Sequence, residues 1–69
     1  MDPDANLIEQ QRIVAEIQRL WDSATPADDY ERELAALAHR LAELVQALDT
    51  WVANGGFLPA RWQKGQARP

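Results

Sequence analysis

The chain has 69 residues, no cysteine, a single histidine and a formal net charge of −4 at pH 7. This length fits one small domain at most, and the composition excludes disulfides, thiolate metal sites and cysteine nucleophiles. The negative charge argues against a dedicated nucleic-acid binder, because such proteins neutralise phosphates with clustered Lys and Arg.

The first predicted helix covers residues 3–22. Asp2 suits its N-cap because a carboxylate accepts hydrogen bonds from free backbone N–H groups, and Pro3 suits the first helical position. The apolar residues recur at helical spacing and predict one broad face that packs on the core. That face comprises Leu7, Val14 and Trp21, spaced by seven residues, with Ile13, Ile17 and Leu20 beside them. Gln10 interrupts the face, where it either specifies the register or the oligomeric state or lies at the rim.

The second predicted helix covers residues 26–54. Thr25 suits its N-cap, Pro26 its first position and Asp28 its third, where a carboxylate completes a capping box. A continuous apolar seam follows, with the alternating spacings of four and three that heptads show. It consists of Tyr30, Leu34, Leu37, Leu41, Leu44, Leu48 and Trp51. The pattern ends at Asn54-Gly55-Gly56, since glycine adopts the left-handed conformation of a helix C-cap.

The short break between these helices predicts an antiparallel hairpin. With a turn centred near residue 24, residue i of the first helix lies beside residue 48−i of the second, so that Leu7 is level with Leu41. The second helix is longer by roughly 12 Å at 1.5 Å per residue. We expect the segment Phe57–Trp62 to fold back over the resulting overhang. This overhang holds Leu48, Trp51 and Val52.

The width of the two apolar faces predicts self-association. Two helices bury only part of such faces against each other, so we expect an all-α homodimer in which two hairpins form a four-helix bundle. A chain this short usually needs help of this kind, because it buries a small fraction of its surface alone.

The C-terminal segment is basic and aromatic on an otherwise acidic chain. Residues 1–54 carry eleven acids and four bases, whereas residues 55–69 carry three bases and no acid. Those bases are Arg61, Lys64 and Arg68, and together with Trp62 they form a cluster of a kind that contacts RNA or single-stranded DNA. An aromatic anchor at a protein interface is the preferred interpretation. Residues 63–69 have the composition of a flexible basic tail.

The run from Leu48 to Trp62 resembles a C-terminal pattern, L-D-x-W-hydrophobic-x-x-G-G-F-L-P-x-x-W, found in small uncharacterised proteins of actinobacteria and their phages. The matching residues are Leu48, Asp49, Trp51, Val52, Gly55, Gly56, Phe57, Leu58, Pro59 and Trp62. The resemblance implies a bacterial or phage origin and a compact helical accessory protein. It implies no activity and supplies no catalytic residue.

The sequence thus predicts a single helical-hairpin domain over residues 1–62 that acts by binding proteins and is not an enzyme. The expected partners are a second copy and a host or other protein; the alternative is a small nucleic-acid-associated regulator. The expected interaction and packing residues are Leu34, Leu37, Leu41, Leu44, Leu48, Trp51, Phe57, Leu58 and Trp62. No motif indicates a metal, a cofactor or a nucleophile.

No apolar run approaches the roughly 20 residues that span a bilayer. The acidic N-terminus is unlike a signal peptide. We therefore expect a cytoplasmic protein without a membrane partner.

Overall fold

The computed structural model describes residues 1–23 and 29–66, with side chains described as far as residue 63. Over these residues the chain is all-helical and contains no strand, which confirms the predicted fold class. The helices are α1 (Pro3–Asp22), α2 (Tyr30–Ala53) and α3 (Ala60–Gln66). None of them combines the length and the apolar character that crossing a bilayer requires.

α1 occupies the predicted range and begins with the predicted cap. The carboxylate of Asp2 accepts hydrogen bonds from the backbone N–H groups of Asp4 and Ala5, at 3.0 and 3.1 Å. Pro3 follows the cap, where its missing N–H leaves no donor unpaired. The helix ends where Ser23 turns to an extended conformation and donates to the carbonyls of the last turn.

The described part of α2 begins at Tyr30, after Asp29, whose side chain makes no capping hydrogen bond. The cap predicted at Thr25, with Pro26 and Asp28, lies outside the described residues. At its far end the helix stops at Asn54, and Gly55 adopts a φ of +91°. This left-handed conformation favours glycine, as the sequence pattern indicates.

Two contacts show that α1 and α2 run antiparallel. The buried amide of Asn6, near the start of α1, donates to the carbonyl oxygen of Leu44, near the end of α2, at 3.0 Å. Three residues further along α1, Glu9 forms two hydrogen bonds with Arg40, at 2.8 and 2.9 Å. The observed register is therefore displaced by only one or two residues from the predicted pairing of i with 48−i.

The core lies between the two long helices and at their open end. Its buried apolar residues include Ile13, Leu20, Leu44 and Leu48. The register places Leu48 beyond the first residue of α1, yet Leu48 is only 3% exposed. Another part of the chain must therefore cover the predicted overhang.

The predicted core face of α1 is wrong along one edge, by a rotation of about one residue, although Leu7 and Ile17 are half-buried within it. Ile13 and Leu20 are buried, as expected, but Val14 is 42% exposed and Trp21 is 72% exposed. The residue that shares the core stripe with Ile13 and Leu20 is Asn6, at the same spacing of seven. Its amide is satisfied by Leu44, so a polar side chain occupies a core position without an unpaired donor.

Gln10 lies beside this buried amide, partly buried at the rim of the core. Its side-chain nitrogen donates to the Oδ1 of Asn6 at 2.7 Å. Gln10 thus lies at the rim, as one expectation had it, and through Asn6 it also supports the register.

Replacing Asn6 with Ala should lower the free energy of unfolding by about 1 kcal/mol, because the interhelical hydrogen bond is lost and Gln10 loses its acceptor. Chemical denaturation followed by circular dichroism measures this change. Gln11→Ala, at an exposed position on the same helix, is the control and should change stability much less. Equal stability of the two variants would show that the buried amide does not stabilise the hairpin.

Candidate interaction surface

The segment after α2 turns back across the open end of the hairpin. Pro59 is fully buried, as is Pro3 at the start of α1. Next to them, the Oδ1 of Asp4 accepts a hydrogen bond from the backbone N–H of Ala60 at 2.7 Å. The chain thus closes on its own N-terminus, and this closure accounts for the burial of Leu48.

The first part of this segment is shaped by Trp51. Its indole N–H donates to the carbonyl oxygen of Phe57 at 2.9 Å, and the two rings meet edge to face with centroids 5.5 Å apart. The backbone N–H of Gly56 donates to the carbonyl of Trp51 at 2.8 Å. A Cβ atom at Gly56 would lie 2.3 Å from the indole ring. The turn therefore requires glycine at position 56, because any side chain there would overlap the indole ring.

Phe57 does not cover the core in the way that the sequence pattern suggested. Its side chain is 59% exposed, although one edge touches Trp51. Leu58 is half-buried, and its carbonyl accepts a hydrogen bond from the side chain of Gln63 at 2.7 Å. The buried anchor of the segment is Pro59, which is not among the expected interaction and packing residues.

α3 continues through part of the predicted flexible tail. The carbonyl of Pro59 accepts from the N–H groups of Trp62 and Gln63, at 3.0 and 3.1 Å, and the helix extends to Gln66. Residues 63–66 are thus helical, because α3 starts at a fixed, capped position. Residues 67–69 lie outside the described residues.

Trp62 borders a groove at the open end of the hairpin. The groove has a volume of about 200 Å³ and is mostly apolar. Its lining residues are Gln10, Val45, Leu48, Asp49, Val52 and Trp62. The predicted covering of Leu48 and Val52 by Trp62 agrees with this arrangement, but the indole leaves a gap and is itself 42% exposed.

The groove belongs to a longer apolar surface that we call the valine face: Gln10, Val14, Val45, Val52 and Trp62. Val14 follows Gln10 by four residues, which places both on one side of α1. Val45 and Val52 are seven residues apart and share one side of α2. Val14 and Val45 are 42% and 48% exposed. Trp21 extends the surface from Val14 by another two turns towards the opposite end of the hairpin.

The other side of the hairpin is charged. Arg40 of α2 binds Glu9 of α1, and Arg19 binds Glu16 within α1. The hydrogen bonds from Arg40 hold the pKa of Glu9 below its ordinary value, and the same bonds raise the pKa of Arg40. Glu16 and Glu33 also face a shared concavity on this side. The hairpin therefore has two unlike sides, one charged and one apolar.

The leucine seam of α2 is occupied by α1. Leu44 and Leu48 are buried, and Leu34, Leu37 and Leu41 are half-buried. Of the basic residues expected to make contacts, Arg61 is exposed. The side chains of Lys64 and Arg68 are not among those described. Val14 and Val45, which expose more surface than the seam, were not among the predicted interaction residues.

The described residues contain no group of three or more acidic, histidine or cysteine side chains arranged to hold a metal ion. Comparison with protein-family models, with curated proteins and with solved structures finds no match for this chain. The valine face is accordingly the candidate site on structural grounds.

Replacing Gly56 with Ala should lower the free energy of unfolding by about 1–3 kcal/mol, because the new methyl group displaces the Trp51 indole from its hydrogen bond. Thermal denaturation and the near-ultraviolet circular dichroism of the indole report the two effects. Gly55→Asn is the control, since Asn tolerates a positive φ and nothing lies within 4 Å of a Cβ there. An unchanged indole signal in Gly56→Ala would contradict the packing described.

Replacing Asp4 with Ala should undock α3, because the Ala60 N–H loses its acceptor at the point of closure. Hydrogen exchange of the Trp62 and Gln63 amides should become at least several-fold faster, while amides in the middle of α1 keep their protection. Asp22→Ala, at the other end of α1, removes the same charge without touching α3. Faster exchange in both variants would indicate a general effect of charge.

Proposed function

We propose that this protein acts by binding another protein through the valine face and that it catalyses no reaction. The observation that carries the proposal is the exposure of Val45 and Trp62 at one apolar groove, with Val14 exposed one helical turn beyond Gln10 of the same groove. Contiguous exposed apolar surface of this kind marks interaction sites in soluble proteins. A tryptophan at its edge adds the residue type most enriched among energetically dominant contacts.

The proposed partner is itself helical. The valine face runs along two packed helices, and a third and fourth helix complete such a surface as a four-helix bundle. A homodimer of two hairpins has this architecture, and a host protein with an amphipathic helix fits the same surface. The resemblance of the C-terminal run to actinobacterial and phage proteins supports the role of an accessory factor, phage-encoded or bacterial, that acts in the cytoplasm.

The charge distribution argues against the alternative of a nucleic-acid-associated regulator. Arg61 is exposed, but the neighbouring Trp62 lines the apolar groove, so its exposed part belongs to an apolar surface and not to a basic one. The net charge of −4 also opposes phosphate binding. Protein binding is therefore the proposal that the described contacts support.

A photo-crosslinking amino acid at position 45 should form covalent adducts with protein when the chain is expressed in actinobacterial cells. The same amino acid at position 8 is the matched control. Ile8 is 51% exposed, but it lies two residues from Gln10 and therefore nearly opposite to it around α1.

Adducts at position 45 but not at position 8 are the expected result, whatever the mass of the captured protein. Protein adducts at neither position, or at both equally, would overturn the proposed binding role of the valine face.

A further inference from the structure

The hairpin exposes more surface than a folded chain of its size normally does. Its accessible surface is 5399 Å², whereas a folded monomer of 7.8 kDa exposes about 4400 Å² by the usual scaling with mass. The surplus is about 1000 Å². A stable interface of standard size covers about 800 Å² on each partner. One such interface would therefore bring this chain close to the exposure of an ordinary small domain.

The shape of the molecule explains the surplus. The principal extents are 46 × 24 × 15 Å, and the radius of gyration is 14.9 Å, against about 11 Å for a compact chain of this length. The shortest extent, 15 Å, is only a few ångströms more than the diameter of a single helix with its side chains, about 10–12 Å. The two long helices thus form one layer, and stable domains are normally built from at least two.

The middle of the valine face carries no charge. Gln11 and Gln18 lie three residues before and four residues after Val14, and Ala42 lies three residues before Val45. Side chains at these spacings are neighbours on one side of a helix. Asp49, at the groove, is a charged residue at its border. The central part of the face can therefore meet its copy without bringing like charges together.

The charges at the two ends of the hairpin favour one orientation of such a pair. Charges of both signs meet at the open end, where Arg61 is exposed together with the acidic Asp2, Asp4 and Asp49. The turn end carries exposed acidic side chains on both helices, namely Asp22, Asp29, Glu31 and Glu33. An antiparallel pair places each acidic turn end beside the mixed charges of its partner's open end, whereas a parallel pair brings the two acidic turn ends together.

We propose that the occupant of the valine face is a second copy of this chain, packed face to face in an antiparallel four-helix bundle. This proposal rests on the proposed binding function of the valine face and names its partner. A two-fold axis passes near Gln10, midway along the face between Val52 and Trp21. The contacts of one chain are then repeated by the other, as a two-fold interface requires. Trp62 of each copy lies towards the Trp21 end of its partner.

Sedimentation equilibrium of the purified protein at 1–50 µM tests the identity of the occupant. The wild-type chain should have twice the mass of one chain at the upper end of this range. Val45→Glu should weaken the dimer at least about 100-fold, because a carboxylate is buried in the interface. Ile8→Glu, a matched exposed position on the other side of α1, should leave the dimer intact. Circular dichroism establishes that both variants remain helical.

A monomeric wild-type chain at 50 µM would overturn the second copy as occupant. The proposed function would then stand if position 45 still crosslinks to a different protein in cells. A dimer that Ile8→Glu disrupts, and Val45→Glu does not, would also overturn the proposal.

The orientation is tested by a spin label on Trp21→Cys, since the chain has no other cysteine and Trp21 is largely exposed. Trp21 is eleven residues from Gln10, or about 16 Å along the helix at 1.5 Å per residue. The two labels of an antiparallel dimer should therefore be about 30 Å apart in a pulsed electron paramagnetic resonance measurement. A separation below about 15 Å would show a parallel pair and overturn the antiparallel arrangement.

Discussion

The hydrogen bond from the buried amide of Asn6 to the carbonyl of Leu44 determines how the two long helices meet. A buried amide without a partner costs free energy comparable to a lost hydrogen bond. Sliding α1 along α2, or rotating it about its own axis, would remove this partner. The contact therefore fixes both the register and the rotation of α1, and Gln10 supports it by donating to the Oδ1 of Asn6.

The rotation of α1 decides which side chains remain exposed. With Asn6, Ile13 and Leu20 turned towards α2, the stripe one residue further along the chain lies at the edge of the hairpin. That stripe includes Val14 and Trp21, which remain largely exposed. On the opposite edge the same rotation brings Glu9 to Arg40. One polar contact in the core thus separates a charged side of the hairpin from an apolar one.

The sequence predicts the hairpin well because its signals are local. The cap at Asp2, the glycines after Asn54 and the alternating leucine spacing of α2 each act over a few residues. The face of α1 was less predictable. Two stripes with identical spacing differ by one residue, and the one that contains Asn6 looks more polar than its neighbour. Only the carbonyl of Leu44, 38 residues away, makes Asn6 acceptable in the core.

The candidate surface was hidden from sequence reasoning for a related reason. Exposure of Val14 follows from the rotation of α1, and the groove beside Val45 is completed by Trp62 of the docked α3. Docking depends on a hydrogen bond from Ala60 to Asp4, across 56 residues, and on the burial of Pro59. Neither contact can be read from a repeating spacing of residues in the sequence. The length of α2 predicts that the segment after it covers Leu48, but it does not indicate that Pro59 anchors this segment.

The proposed binding at the valine face would be coupled to closure of the hairpin, because Trp62 takes part in closure and borders the groove. The groove is bordered by α3 on one side and by Val45 and Val52 on the other, so it has its full shape only in the closed chain. A partner that binds the closed chain more tightly than the open chain also stabilises the docking of α3, and the stabilisation grows with this difference in affinity. Docking in turn positions Trp62 before the partner arrives, which reduces the entropy lost on binding. Substitution of Trp62 therefore perturbs folding and binding together, whereas Val45 affects the surface while leaving the closure contacts of Asp4 and Pro59 in place.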